Sequence, residues 1–116
     1  MFKVIVAGSR NFNNYEFLKN TLNYLLINQN NIEIVSGTAN GADKLGEMYA
    51  RKLHLGLKQF PADWDQYGKR AGYLRNEQMA KYADALVAFW DSKSVGTKHM
   101  IDLAGKYKLL VRVINY

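Results

Sequence analysis

The stretch "ADALVAFWDSKSVGTKHM", residues 83–100, decides how this chain is read. After Asp84 comes an unbroken apolar run, Ala85-Leu86-Val87-Ala88-Phe89-Trp90. A strand with one wet face alternates polar and apolar side chains, so a continuous run marks a strand covered on both faces, expected near the centre of a sheet. From Ser92 to Val95 the residues turn small and polar, and Ser94 has the chemistry of a helix N-cap. A short helix is expected from Gly96 to about Lys106, with Thr97, Met100, Ile101, Ala104 and Tyr107 on one face.

The same strand, loop and helix pattern extends toward the N-terminus. Phe2 to Ala7 is a β-rich run that ends in Gly8-Ser9-Arg10. Asn13 followed by Glu16 resembles a capping box, and Leu18, Leu22 and Leu25 share a face of a helix expected to reach about residue 29. Ile32 to Ser36 reads as a second strand, and the small-residue loop Gly37 to Gly41 leads into a helix with the stripe Ala42, Leu45, Tyr49 and Leu53. Leu57 to Phe60 is a third strand, stopped by Pro61, the single proline. A longer loop through Gly68, a helix from about Arg70 to Tyr82, and a last strand from Leu109 to Ile114 complete the series. Alternation of this kind implies right-handed crossovers and a mostly parallel sheet of about five strands between two helical layers, a small Rossmann-like α/β domain spanning residues 1–116. Ligands in such folds sit at the carboxyl ends of the strands, where strand order reverses.

With 116 residues, 48% of them hydrophobic, the chain has material for one real core. No apolar run approaches the ~20 residues of a membrane span, and the first residues enter a strand pattern without a charged leader. A soluble cytoplasmic protein with no membrane contact is expected. The absence of cysteine excludes disulfides, thiol nucleophiles and thiolate zinc sites, and two isolated histidines leave no ligand pattern for a metal. No cofactor is implied. The net charge of +6 favours anionic partners such as nucleotides, phosphorylated metabolites or nucleic acid. It is equally compatible with a solvated basic surface, since the basic residues form no long run.

The candidate chemistry lies at the strand ends. Gly8-Ser9-Arg10 offers N–H groups, a hydroxyl and a guanidinium suited to phosphate, or is a plain loop with a surface arginine. Gly37, Thr38, Ala39, Gly41, Ala42 and Asp43 lead into a helix N-terminus, where small residues admit close approach of a ligand. This segment matches neither the dinucleotide fingerprint nor the P-loop. Asp43 complements the helix dipole or faces a ligand. Ser94, Gly96 and Thr97 form a second helix start that binds an anion, or one where Ser94 only caps the helix. On the helix from Arg70, the face Ala71, Leu74, Gln78, Met79 and Tyr82 carries Arg75 at its middle, where the guanidinium needs a ligand anion or an internal partner such as Asp63 or Asp84. Trp64 and Trp90 are core or rim aromatics, or stack on a base. His54 and His99 have no partner pattern and read as structural or solvated.

Taken together, Gly8-Ser9-Arg10, Gly37-x-Ala39-x-Gly41-Ala42-Asp43, Pro61-Ala62-Asp63-Trp64, Arg75-Asn76-x-x-Met79, Ala83-Asp84 and Ser94-x-Gly96-Thr97 resemble the YspA-related branch of the SLOG superfamily. That superfamily consists of Rossmann-like domains akin to the DNA-processing Smf/DprA proteins and the LONELY GUY phosphoribohydrolases. The resemblance implies a nucleotide phosphate or ribose held between Arg75, with its neighbour Asn76, and the Gly96-Thr97 loop. It also places Met100 where the phosphoribohydrolases keep a catalytic glutamate. A thioether neither stabilises an oxocarbenium-like charge nor positions water. The expected function is therefore non-catalytic binding of a nucleotide-derived small molecule, resembling ADP-ribose or its cyclic form, by a sensor or sequestering protein that forms a homodimer or larger homo-oligomer. Alternatives are a nucleotide N-glycosidase drawing its carboxylate from Asp63, Asp91 or Glu77, and single-stranded DNA binding.

Overall fold

Val4, Ile5 and Val6 have no solvent exposure, a condition met only by a strand paired on both edges and covered on both faces. They belong to the middle strand of one sheet. The structure, a computed structural model, describes Met1–Tyr116. Its elements in chain order are β1 (Phe2–Gly8), α1 (Tyr15–Leu25), β2 (Ile32–Ser36), α2 (Ala42–Lys52), β3 (Gly56–Gln59), α3 (Trp64–Tyr67), a 3-10 turn (Gly68–Arg70), α4 (Ala71–Tyr82), β4 (Ala85–Trp90), α5 (Val95–Lys106) and β5 (Leu110–Asn115). All five strands are parallel, in the order β3-β2-β1-β4-β5, with Val4 opposite both Ile34 and Ala85. The Rossmann-like α/β architecture read from the sequence is the one observed. β1 rather than β4 is central, because continuous apolarity reports burial on both faces and does not rank the interior strands.

Strand alternation divides the core into two layers. Val4, Val6, Ile34, Val87 and Phe89 pack with Leu18 and Leu22 of α1 and Tyr49 of α2. Ile5, Ala7, Val35, Leu86 and Ala88 pack on the opposite face with Met79 of α4 and Met100 and Leu103 of α5. No helix is long and apolar enough to cross a membrane.

Local differences from the sequence reading have physical causes. Asn14, not Asn13, caps α1, accepting from the Phe17 N–H at 3.1 Å. The helix ends at Leu25, four residues short of the expected limit, and it is Leu26 just beyond it that is buried with Leu18 and Leu22. Leu53 is 48% exposed, because α2 ends at Lys52 and leaves Leu53 as its C-cap rather than on the inner face with Tyr49. The segment after Pro61, expected as loop, contains α3, whose cap Asp63 accepts from the Gln66 N–H at 3.1 Å. α4 buries Ala71, Asn76, Met79 and Ala80 and leaves Leu74 and Gln78 outside, so its inner face is narrower and smaller than hydrophobicity alone implied. Small residues there let α4 lie against α5.

A Cβ added at Gly46 would meet Val6 Cβ and Cγ1 at 2.8 Å, so the glycine sets the distance of α2 from the sheet. Overpacking of this kind costs about 1–3 kcal/mol, against a helix-propensity gain of about 1 kcal/mol over glycine. Gly46→Ala is expected to lower the urea midpoint at unchanged m-value.

Candidate functional site

Strand order reverses between β1 and β4, and the loops leaving their carboxyl ends form one wall of a cleft. The two strands approach so closely there that a Cβ on Gly8 would strike the Phe89 carbonyl and come within 2.8 Å of Ala42 Cβ. Ser9 is 2% exposed and internal. Its N–H donates to Phe89 O at 3.0 Å, its carbonyl accepts from Phe12 at 3.2 Å and Ala42 at 3.4 Å, and its hydroxyl accepts from the Asp91 N–H at 3.2 Å. Ser9 thus ties three loops together, and Arg10 beyond it reaches the cleft wall.

The loop after β2 is held from below. Ser36 Oγ donates to Glu47 Oε2 at 2.7 Å and accepts from the Thr38 N–H at 3.0 Å, which holds Thr38 in the left-handed region at φ 67°. Glu47 is 1% exposed, with Lys44 and Arg51 at 3.7 and 3.5 Å over its carboxylate. Gly37 lies where Arg75 and Asp43 converge, since an added Cβ would meet Arg75 Nη1 at 2.7 Å and Asp43 Oδ2 at 2.9 Å. Gly41 has φ 81° and packs on the Ser9 and Arg10 carbonyls as N-cap of α2. The Ala42 N–H is already spent on Ser9.

Arg75 donates through Nη1 to the Gly37 carbonyl and through Nε to Asn76 Oδ1 at 2.9 Å. Asn76 Nδ2 in turn donates to Gly96 O at 3.3 Å and lies 3.1 Å from His99 Nδ1, which accepts in the neutral ring. Burial holds the His99 pKa below its usual value, and its ring meets Tyr73 edge to face at 4.5 Å. Neither Asp63 nor Asp84 pairs with Arg75; Asp84 accepts from the Lys3 N–H at 2.9 Å. Arg10 and Arg75 take part in no ion pair. At the start of α5, Ser94 Oγ accepts from the Thr97 N–H at 3.4 Å, and the Val95 and Gly96 N–H groups have no acceptor in the chain. Asp91 Oδ1 accepts from Lys93 and Ser94 at 2.9 Å each, which holds its carboxyl below the usual range and shapes this loop. Trp90 Nε1 props the same turn through Ser94 O at 3.0 Å.

The resulting cleft has a volume of about 210 Å³. Gly8, Arg10, Ala39, Asp43, Trp64, Arg75, Asn76, Ser94, Gly96 and Thr97 line it, with Met79 and Met100 at its floor. Ser9, Gly37, Thr38, Gly41, Ala42 and Trp90 stand behind the wall and shape it. Asp63, Asp91 and Glu77, which is paired with Lys81 at 3.2 Å, do not line it. Sequence reasoning missed Lys69 and Tyr73 on the wall, and Ser36 and Glu47 beneath it. Glu47 carried a signal, for it falls one turn after Asp43 on the buried side of α2.

Burial pushes the Asp43 carboxyl from 3.8 up to about 6, aided by Glu47 and opposed by the Ala39 N–H, Arg75 and Arg10. Burial lowers the Arg75 pKa, and Asp43 offsets this. Folding therefore favours protonated Asp43; that stability is complete below pH 3.8 and is lost as pH rises through about 6. At about 1.4 kcal/mol per pKa unit, the ionised side chain costs on the order of 3 kcal/mol near neutral pH. Asp43→Asn keeps the shape and an acceptor for Ala39, so it is expected to raise the urea midpoint near neutral pH and to change it little at about pH 4.

Comparison with known proteins agrees with the fold. The family model for the YspA, cpYpsA-related SLOG family matches residues 2–67. The Gene 61 protein of Mycobacterium phage D29 is 33% identical over 123 residues, an alignment that covers 100% of this chain and 97% of that protein. Among solved structures, DNA processing protein A from Streptococcus pneumoniae superposes with a TM-score of 0.81 at 19% identity over 100% of this chain. The Helicobacter pylori DNA processing protein A, described as binding single-stranded DNA, superposes at 0.69 with 20% identity over 97% of the chain. The chain spans 51% and 64% of those two proteins, which share its fold. Matched over more than half its length by the family model and along its whole length by the phage protein, the chain belongs to the YspA, cpYpsA-related SLOG family.

Proposed function

We propose that the cleft binds the phosphate of a nucleotide-derived small molecule resembling ADP-ribose or its cyclic form, and that the protein senses or sequesters it in the cytoplasm. One observation carries the reading: two guanidinium groups without carboxylate partners, Arg10 and Arg75, share a cleft with the open start of α5. Planar guanidinium forks and unpaired helix N–H groups are the standard means of holding phosphate. Trp64, 51% exposed at the rim, offers a surface for a base. Met100, 1% exposed at the floor, brings neither charge nor a proton to a bound sugar, so binding without turnover is the simpler reading.

A specific observation favours a second reading. Trp64, Tyr67 and Tyr73 are exposed next to Lys69 and Arg70, an aromatic and basic rim of the kind that holds single strands. The Helicobacter relative in fold is described as a single-stranded DNA binder.

Calorimetry with ADP-ribose and AMP tests the first reading. Wild type is expected to bind, and Arg75→Ala to lose about 10- to 100-fold in affinity, the range for hydrogen bonds to a charged group, while keeping its circular dichroism spectrum. No binding by wild type, or unchanged affinity in the variant, overturns it. Oligonucleotide binding that weakens steeply with salt, without a response to ADP-ribose, selects the second. A homodimer belongs to the same proposal, with Tyr24 of α1 and Ile27 just beyond it, 77% and 76% exposed, as apolar surface to cover. Sedimentation velocity should give the dimer mass; a monomer at all concentrations removes that part.

A further inference from the structure

Asp43 is the one carboxylate on the cleft wall. A fixed negative charge opposes a phosphate ligand, so its presence in an anion site needs a cause. Structural pairing does not supply one: no guanidinium lies within ion-pair distance, although Arg10 and Arg75 share the wall. Oδ2 accepts from the Ala39 N–H at 3.2 Å. Oδ1 has no partner within the chain, and no fully occluded side-chain polar atom in the protein is left unpaired, so Oδ1 opens onto the cleft. The residue is otherwise buried, at 5% exposure. A nearly buried acceptor turned toward a ligand space calls for a donor on the ligand.

A nucleotide carries such donors on its sugar and on its base, and depth separates the two. Asp43 sits against Gly37 at the inner end of the cleft. The aromatic surface available to a base, Trp64 and Tyr73, is 51% and 46% exposed at the rim. A volume of about 210 Å³ falls below the roughly 300 Å³ at which pockets begin to enclose whole drug-sized ligands. Sugar and phosphate go inside, and the base stays at the rim.

The geometry points to Asp43 as the residue that reads a ribose diol: its free oxygen accepts from the 2′- or 3′-hydroxyl, or both, and selects ribonucleotide-derived ligands over their deoxy counterparts. This rests on the cleft holding a nucleotide phosphate as proposed above. A buried acceptor left without its donor is what makes a polar site reject the analogue that lacks the hydroxyl.

Calorimetry on the full chain with AMP, 2′-deoxy-AMP and 2′,3′-dideoxy-AMP, with pyrophosphate as a sugar-free probe, tests the assignment. Wild type is expected to bind AMP about 10- to 100-fold more tightly than dideoxy-AMP, the range for a lost hydrogen bond to a charged group. Asp43→Asn, which removes the charge at constant shape, should shrink that ratio to about threefold or less and leave pyrophosphate affinity no weaker than in wild type. Equal wild-type affinity for the three nucleotides, or a full preference retained in Asp43→Asn, overturns the inference. The wild-type comparison needs no variant and stands even if Asp43→Asn folds poorly. Binding of neither AMP nor pyrophosphate is a different failure, that of the phosphate cleft itself, and removes the diol reading with it. Tighter binding of deoxy-AMP than of AMP also overturns the assignment and favours the single-strand reading.

Discussion

The hydrogen bond between Ser36 and the buried Glu47 carboxylate is the constraint on which the cleft depends. A carboxylate at 1% exposure is costly unless its oxygens are satisfied, and Ser36, Lys44 and Arg51 satisfy them. In return Ser36 is fixed, and through it the left-handed turn at Thr38. That turn aims the Gly37 carbonyl at Arg75 and the Ala39 N–H at Asp43. One buried acid beneath a loop of small residues thus helps position Arg75 and Asp43, two of the charged groups on the cleft wall.

Asp43 shows the opposite balance. Glu47 has partners and holds a loop, whereas Asp43 keeps one oxygen open at the expense of stability near neutral pH. Natural proteins hold such destabilising groups where function needs them. Two acids one turn apart on the same helix therefore do different work, and their hydrogen bonds distinguish them.

Much of this was legible from the residues. The unbroken run Ala85–Trp90 and the alternation of strand-like and helix-like segments led to a parallel sheet, and the small-residue loops marked the right end of it. Arg10, Asp43 and the α5 start were recognisable as polar groups at strand ends and Arg75 as a charge on the apolar face of its helix, and they share one cleft. What escaped was set by partners distant in sequence. The inner face of α4 is defined by how near α5 lies, so Asn76 is buried and Leu74 is not. Ser9 reads as a ligand hydroxyl in isolation, yet its oxygen meets Asp91, 82 positions later. Lys69 and Tyr73 come to the wall because α3 and the 3-10 turn replace an expected loop.

Asn76 has a consequence for the dynamics of recognition. Its one side chain grips Arg75 at Nε and the carbonyl of Gly96 at the head of α5. A free arginine would lose rotamer entropy on meeting an anion, about 0.5–1.5 kcal/mol for an immobilised side chain. Here much of that ordering is complete before a ligand arrives. The same amide fastens the guanidinium to the helix start, so an anion bound as proposed would meet two donor groups that are tied to each other. On that reading the cleft would act as a gauge, favouring a group whose width spans both donors over one that reaches a single side.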